Sequence, residues 1–411
     1  QPAAEENYTR HVDPKIGTGG HGHVFVGANV PFGMVQVGPT SIPQTWDWCS
    51  GYHASDSTVI GFSHTHLSGT GIGDLFDITV MPVVGEVTYA RGEENDPASG
   101  LWSYADRTRE ITKPGYYSVP LVRYGITAEL TATERVGLHR YTFPASDAAA
   151  VVFDLENGGC WDKATDTGFR FSDDSTRIAG WRCSTGWAKN QEVYFVAEFS
   201  KPAKGISYLQ PGEIDDSKMP RIAARYARVD FDTAEGEQVL VKVALSPVSI
   251  EGAKANLAAE LSGWDFDATA AAADKAWNDE LSKVKIETED ETSKRIFYTA
   301  LYHTMVAPSL FCDVNGDYRG ADGKVHENPG HDTYTTFSLW DTYRAAMPLM
   351  TVLHPERMPD IIQTMLHIAD EQGRLPVWHL WGNETDCMVG NPGIPVVADA
   401  IVKGIGGFDR E

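Results

Sequence analysis

The chain has 411 residues, which at roughly 150 residues per domain indicates two or three domains and excludes a peptide or a small disulfide knot. Hydrophobic residues make up 42% and charged residues 22%, the composition of a globular and not of a disordered protein. The formal net charge of -23 repels a phosphate backbone, so nucleic acid is not an expected partner. No run approaches about 18 uninterrupted apolar residues, so no transmembrane segment is expected.

The N-terminal residues and the cysteines give information about the cellular compartment of the protein. The first residues, QPAAEENYTRHVDP, lack the basic and apolar regions of a signal peptide. They resemble what remains after a signal sequence is removed, although an artificially shortened chain would look the same, and we expect an exported protein (periplasmic, cell-surface or secreted). The five cysteines are too sparse for a zinc site or a disulfide framework. If any two cysteines pair, we expect Cys160 and Cys183.

The first part of the chain has the sequence pattern of a β-sandwich. From Tyr8 to about Ser249, short alternating runs are separated by Gly, Pro, Asn and Asp. Many short strands at this spacing are typical of a sandwich. The predicted strands lie at 24–26, 34–37, 83–89, 116–122, 126–131, 136–143, 149–154, 192–198 and 238–244.

Composition changes at Glu251, where Ala, Leu, Lys and Glu recur at helical spacing. We predict a helical linker there and, from Glu291 onward, four apolar helices of the kind found in the inner ring of a helical barrel. A hairpin with Asn315 and Gly316 at its turn is predicted between the first two of these helices. A closed ring needs more helices, so we expect this sequence to be the front portion of a longer polypeptide.

The densest polar cluster is N-terminal and rich in glycine. It contains two HxH pairs, whose imidazoles share one side of an extended strand, but further ligands at a convincing spacing are lacking, which favours loop histidines over a metal site. Trp46 and Trp48 are candidates for stacking on a sugar, with buried core indoles as the alternative. The segment DVNGDYRGADG has Tyr318 where a calcium loop requires Gly, so we interpret it as a turn.

Two segments at predicted helix starts combine Trp with a carboxylate. SLWDTYR contains Trp340, Asp341 and Arg344, for which the alternative is an ion pair beside a core Trp. WHLWGNETDCMVG contains Glu384, with a simple capped turn as the alternative. Both segments fit a ring of helices whose ends line a sugar pocket.

At these residues the sequence resembles glycoside hydrolase family 92, the calcium-dependent exo-acting α-mannosidases. The resemblance rests on four long motifs and extends from about Tyr8 to the last residue: IGTGGHGHVFVGANVPFGMVQVGP, GFSHTHLSGTG, SLWDTYR and GNETDCMVGNPGIPVVADAIVKGI. It implies a β-sandwich followed by a helical linker and an incomplete (α/α)6 barrel, with domain limits of 1–250, 251–290 and 291–411. It also implies inverting hydrolysis that releases mannose, with calcium as the cofactor and a mannose-containing glycan as the substrate.

The resemblance further implies where site residues lie. The family's acid motif EGNxW and base motif GNxDxGQMSAW do not occur in this sequence, so the general acid, the general base and most calcium ligands are expected beyond Glu411. Asp341 matches the aspartate of the family's WDT motif, which is similar to a residue that binds hydroxyls of the terminal mannose. The expected substrate-binding neighbours are Trp340, Arg344, Glu384, Trp46, Trp48 and His66.

The main hypothesis is an exo-α-mannosidase, with α-1,2 linkages of N-glycans or mannans as its substrates. Two alternatives stay open at this point. One is a carbohydrate-binding or scaffold module without turnover, if the chain ends at Glu411. The other is a different sandwich-plus-barrel hydrolase or phosphorylase.

Overall fold

The computed structural model describes residues 6–159, 161–170, 174–211 and 221–411. Cys160 lies outside the described residues, and Cys183 is a free thiol in the structure, so the pairing that the sequence left open is not found. The N-terminal strands are short or medium in length and follow one another closely. They are β1 Gly38–Thr40, β2 Thr58–Val59, β3 Gly61–Ser63, β4 Thr79–Val84, β5 Ser103–Tyr104, β6 Ile111–Lys113, β7 Tyr116–Leu121, β8 Ile126–Ala132, β9 Val136–Phe143, β10 Ser146–Asp154, β11 Lys163–Arg170, β12 Arg177–Thr185, β13 Gln191–Phe199, β14 Gly205–Pro211, β15 Arg221–Thr233 and β16 Glu237–Ser246.

Fourteen of these strands form one antiparallel network in the order β1-β3-β4-β10-β15-β11-β12-β13-β16-β9-β8-β7-β6, with β14 beside β15. The long strand β15 connects the two halves, because it pairs with β10 at one end and with β11 at the other. Rings from strands that are not neighbours meet in the core. Phe62 of β3 lies 6.3 Å from Tyr141 of β9, and Phe153 of β10 lies 5.9 Å from Phe195 of β13. The expected large antiparallel β domain is therefore confirmed.

Helices follow the sheet domain, as expected. They are α1 Ile250–Glu260, α2 Phe266–Leu281, α3 Glu291–His303, α4 Leu339–Thr342, α5 Ala346–Leu353, α6 Met358–Gln372 and α7 Gly393–Val402. Three of them start at side chains that satisfy first-turn amides. Ser249 caps α1, Asp265 caps α2 and Asp290 caps α3. The order of a sheet domain and a helical region is confirmed, whereas the (α/α)6 barrel stays a prediction.

The predicted hairpin was placed at the wrong turn. Asn315 and Gly316 lie in a turn that precedes the hairpin, and the hairpin itself pairs β18 Tyr318–Arg319 with β19 Val325–His326. Its turn is closed by the amide of Gly323, which donates to the carbonyl of Gly320 at 3.0 Å. An outer pair, β17 Ser309–Leu310 with β20 Tyr334–Thr335, encloses it, and a small sheet joins β21 Phe337–Ser338, β22 Trp378–Leu380 and β23 Asn383–Glu384.

Two predicted strands are also wrong, at 24–26 and at 34–37. In the second, Val37 forms only an isolated bridge with Ala28, and β1 begins at Gly38. In the first, Phe25 and Val26 are buried but form no backbone pairing with another strand. The short apolar run at 24–26 therefore indicates burial and does not indicate a β-strand. The segment 85–89, predicted as part of a strand, likewise lies beyond the end of β4.

The sheet domain and the helical region are held together by polar contacts. Buried Arg135 donates from Nε to the carbonyl of Cys312 at 2.7 Å and pairs with Glu260 at 2.8 Å. The fully buried indole of Trp277 in α2 donates to the carbonyl of Asn29 at 2.7 Å. These contacts fix the loops of the sheet domain against the helices. Within the part of the chain that the structure describes, none of the helices has the length and apolarity needed to cross a bilayer.

Candidate active site between the sheet domain and the helical region

The loop around Trp46 presents an indole to solvent. Its side chain is 48% exposed, and its Nε1 donates to the carbonyl of Gly71 at 2.8 Å. Next to it, an oxygen of Asp47 lies 2.7 Å from Nδ1 of His21 and 3.2 Å from Nε2 of His23. The hydrogen bond from His21 lowers the pKa of Asp47. An open aromatic face thus lies beside a carboxylate, the pairing that a sugar requires.

Trp48 and His66 lie deeper in the same loops. The ring of Trp48 stacks on His53 with centroids 4.3 Å apart, and its Nε1 donates to Asp56 at 2.7 Å. His66 is buried between two phenylalanines, with Nδ1 2.8 Å from the carbonyl of Gln36. Burial lowers the pKa of His66 to about 3, so the ring is neutral. These contacts support the shape of the loops, and substrate contact by either residue stays a prediction.

A buried ion triad lies under these loops. The guanidinium of Arg182, from β12, contacts Asp77 at 2.7 Å and Asp162 at 2.8 Å, and all three side chains are fully buried. Its Nε also donates to the carbonyl of Leu155 at 3.0 Å. Burial raises the pKa of Asp162 even beside this cation. Arg182 therefore ties two loops, the one between β3 and β4 and the one between β10 and β11, to strand β12.

A chain of contacts leads from Trp46 to the helical region. Two residues beyond Gly71, the carbonyl of Gly73 accepts from the amide of Trp161 at 3.1 Å. The next residue, Asp74, accepts from the amide of Ala188 at 2.8 Å, and burial raises its pKa to about 6. The neighbouring indole of Trp187 packs against Trp378 at 4.6 Å between centroids. The loops of the sheet domain thus reach the segment that contains Glu384.

Glu384 is held by main-chain amides. One carboxylate oxygen accepts from the main-chain amide of Val377 at 2.8 Å and from the side-chain Nε2 of Gln372 at 3.1 Å. The other oxygen accepts from Trp378 at 2.8 Å and from Asp386 at 3.1 Å. Both oxygens are therefore engaged in fixing the β22 and β23 hairpin. Direct binding of substrate by Glu384 stays a prediction.

The SLWDTYR segment forms the short helix α4. Trp340 and Arg344 line an open cavity of about 340 Å³ together with the loop 388–392 and Pro395. Asp341 is exposed, and no nitrogen of Arg344 approaches its carboxylate within 4.0 Å in the described part of the chain. The alternative of a helix-start ion pair is therefore not supported, and the Asp341 carboxylate is left open to solvent.

A larger cavity lies elsewhere. It has a volume of about 580 Å³ and lies along the alanine-rich face of α2, with Glu134, Glu260, Glu280 and Arg357 at its rim. The candidate site residues are absent from its lining. Size alone does not identify the site here, because this groove has an apolar wall and lacks an exposed indole.

Calcium sites require several oxygen ligands close together, and the described residues offer two candidate groups. Two groups have the spacing to hold an ion, namely Glu280, His354 and Glu356, and Asp322, His326 and Glu371. Each offers one imidazole nitrogen, whereas calcium takes six to eight oxygen ligands. Neither group fits calcium.

Two residues at this interface were missed in the sequence. Trp161 is 49% exposed and lies beside the Gly71 to Asp74 loop, and Trp187 packs against the helical region. Trp161 is followed by a polar residue in WDK, which was an available signal, whereas Trp187 lies between Gly and Ala in GWAK. An indole alone does not distinguish an exposed stacking face from a core residue.

Sheet domain, helical region and interface loops together match a class of glycosidases. The chain belongs to glycosyl hydrolase family 92. The profile of the family's N-terminal domain matches residues 11–246, and that of its catalytic domain matches residues 252–411.

Solved structures agree with this assignment. A family GH92 α-mannosidase from Bacteroides thetaiotaomicron is 38% identical with a TM-score of 0.93, over 98% of this chain and 55% of that one. An inverting mannosidase of the same family and organism is 27% identical with a TM-score of 0.85, over 98% of this chain and 54% of that one. A protein of Arthroderma benhamiae described as an uncharacterized secreted glycosidase is 25% identical, over 98% of this chain and 50% of that protein. The chain thus spans about half the length of these relatives.

Proposed function

We propose that this chain is the sheet domain and the first part of the catalytic barrel of an exported, calcium-dependent exo-α-mannosidase. The enzyme removes terminal mannose from N-glycans or mannans, with α-1,2 linkages as its substrates, and it inverts the anomeric configuration. The observation that carries this proposal is the match over both family domains, together with the 38% identity to a solved α-mannosidase.

The proposal also assigns a domain to each part of the chain. Residues 1–250 form a β-sandwich, 251–290 a helical linker, and 291–411 the first part of an (α/α)6 barrel. In an inverting hydrolase, a carboxylic acid protonates the leaving oxygen while a carboxylate on the other face activates water. We assign both groups, and the calcium ligands, to sequence beyond Glu411, in keeping with a chain that spans about half of the relatives' length.

The residues of this chain bind and orient the sugar. The exposed carboxylate of Asp341 accepts hydrogen bonds from mannose hydroxyls, with Trp340 and Arg344 beside it. Trp46, whose indole is 48% exposed, provides a stacking face from the sheet domain. Trp48, His66 and Glu384 hold the surrounding segments in place through the contacts described above, and substrate contacts by them belong to the same proposal.

The test uses a polypeptide extended to the relatives' length. We expect it to release mannose from α-1,2-mannobiose, to give the β-anomer first by NMR, and to lose activity with a chelator. Asp341→Ala should lower kcat/KM by several orders of magnitude, because bonds to ring hydroxyls strengthen in the transition state. Asp267→Ala is the matched control, since this carboxylate is also exposed but lies on α2. Near-normal turnover by a folded Asp341→Ala variant would contradict the assignment.

The 411-residue chain alone addresses the alternative of a binding module. Under the proposal it releases no mannose. Saturable binding of mannobiose by this chain, abolished by Trp46→Ala, combined with no turnover by the extended polypeptide, would favour a carbohydrate-binding module instead.

A further inference from the structure

Two groups of side chains in the helical region have the same composition. Each contains two carboxylates and one imidazole, with one ligand atom from each residue within 4.8 Å of the others. We name Glu280, His354 and Glu356 the inner triad, and Asp322, His326 and Glu371 the hairpin triad. The difference between them lies in what neutralises their negative charge.

The inner triad already surrounds a cation. The ammonium of Lys283 lies 2.7 Å from Glu280 and 3.3 Å from Glu356. It is also 3.4 Å from Nδ1 of His354. The lysine therefore occupies the position that a metal ion would take.

The hairpin triad lacks such a cation. Within the described residues, no side-chain nitrogen of Lys or Arg lies within 4.0 Å of the carboxylates of Asp322 or Glu371, although the main-chain amide of Lys324 donates to Asp322 at 3.0 Å. The imidazole of His326 contacts Asp322 directly, with its Nε2 3.0 Å from one carboxylate oxygen and 3.1 Å from the other, whereas the charge of Lys324 acts on Asp322 from farther away. Two carboxylates thus lie close together without a Lys or Arg side chain between them, an arrangement that a bound divalent cation stabilises.

The three ligand atoms converge on one point above Gly320. A Cβ built on this glycine would lie 2.5 Å from Oε2 of Glu371, 2.6 Å from Oδ1 of Asp322 and 2.7 Å from Nε2 of His326. The absence of a side chain at 320 thus leaves open the space between the three groups.

The surroundings hold the ligands in orientation. The ring of His326 stacks on Tyr318, with centroids 5.1 Å apart and an interplanar angle of 15°. The hydroxyl of Tyr318 donates to Oε1 of Glu371 at 3.2 Å, and the amide of Ala321 donates to Oε2 at 3.0 Å. Hydrogen bonds of this kind fix the outer surroundings of metal ligands.

We propose that Asp322, His326 and Glu371 bind one divalent transition-metal ion of the zinc type. Zinc takes imidazole nitrogen and carboxylate oxygen in a tetrahedral arrangement, whereas calcium requires more oxygen ligands. The side chains of His326 and Asp322 are 33% and 22% exposed, so water completes the coordination. The ion joins the β18 and β19 hairpin to the last turn of α6. This proposal is independent of the glycosidase assignment.

The test is titration of the tag-free, metal-stripped chain with zinc chloride, followed by isothermal calorimetry and by the thermal unfolding midpoint. We expect zinc to raise the midpoint, with calcium chloride having no such effect at this site. His326→Ala and Glu371→Gln should each weaken the binding by more than about 100-fold, since outer-shell partners alone are worth about 10- to 100-fold. Gly320→Ala keeps all three ligands but pushes them apart, and it should remove the same equivalent of zinc.

The matched control is Glu356→Gln in the inner triad, which should leave zinc binding unchanged. A metal-free unfolding midpoint for each variant verifies that it is folded. Loss of one equivalent in the hairpin variants with retention in Glu356→Gln supports the proposal. No saturable zinc binding by the wild type, or equal binding by the wild type, His326→Ala and Gly320→Ala, would overturn it.

Discussion

Replacement of Arg182 by Met is expected to be one of the most destabilising single changes in the sheet domain. The guanidinium lies 2.7 Å from Asp77 and 2.8 Å from Asp162, with all three side chains fully buried. Methionine fills much of the same volume but leaves two carboxylates without their cation. Removing one partner of a buried ion pair costs about 3–5 kcal/mol, a large part of a typical net stability of about 5–15 kcal/mol.

The loss should depend on pH in a defined direction. Burial already raises the pKa of Asp162 with Arg182 present, and removing the cation raises it further. In the unfolded chain the carboxyl titrates near its ordinary value of about 3.9, so the folded variant binds more protons than the unfolded one above that pH. The stability deficit of Arg182→Met is therefore smallest near pH 4 and grows as the pH rises through the folded-state pKa values.

The measurement is urea unfolding of wild type and variant at several pH values, followed by tryptophan fluorescence. Arg109→Met is the matched control, because Arg109 pairs with Asp106 at 2.8 Å but its side chain is 70% exposed. Such a surface pair contributes only about 0–1 kcal/mol. A deficit for Arg182→Met no larger than that of the control, or one that does not change with pH, would refute the reasoning.

Three further changes probe other parts of the chain. Glu384→Gln should lower the free energy of unfolding by about 1.5–3 kcal/mol for each charge-assisted hydrogen bond that is lost. The measurement is thermal unfolding, and an unchanged midpoint would argue against a role of Glu384 in holding the β22 and β23 hairpin. Asp74, whose pKa burial raises to about 6, favours its protonated form in the folded state, so wild-type stability should fall by roughly 3 kcal/mol at most as the pH rises from about 4 to 6. Asp74→Asn should remove this part of the pH dependence, and a slope equal to that of the wild type would exclude Asp74 as its source. Ser249→Ala removes the hydroxyl that accepts from the amide of Gly252 at 3.0 Å, and it should lower the free energy of unfolding by about 1 kcal/mol. Ser262→Ala is the control, a serine-to-alanine change at a position that does not cap a helix N-terminus.

Several elements could be predicted from local patterns alone. The strand at 136–143 was predicted with the bounds found for β9, and those at 126–131 and 192–198 lie within β8 and β13. The α1 helix begins directly after its Ser249 cap. In these segments the alternation of side chains, or a cap before a helix-forming run, agrees with the final environment, so sequence and structure agree. The family resemblance likewise rested on motifs visible in the sequence.

Other elements were decided by contacts between residues far apart in the chain. Strand β12 contains Arg182, which the sequence alone would place on the surface. In the structure it is buried, because Asp77, 105 positions away in the chain, neutralises its charge in the core. At 24–26 the opposite happened, because apolar residues were buried without a strand partner. A local sequence pattern indicates whether a residue tends to be buried. It does not indicate which distant residue will neutralise a charged side chain in the core.

The same division applies to the candidate sites. The sequence alone determined the order of a β domain and a helical region, the family, and the segments in which Trp and carboxylates are neighbours. Only the tertiary structure decided that Glu384 is held by backbone amides, that Trp161 lies beside the Gly71 loop, and that Gly320 leaves room between three ligand atoms. Hydrogen bonds and ion contacts depend on distances of about 3 Å, and such distances between remote residues arise only when the whole chain packs.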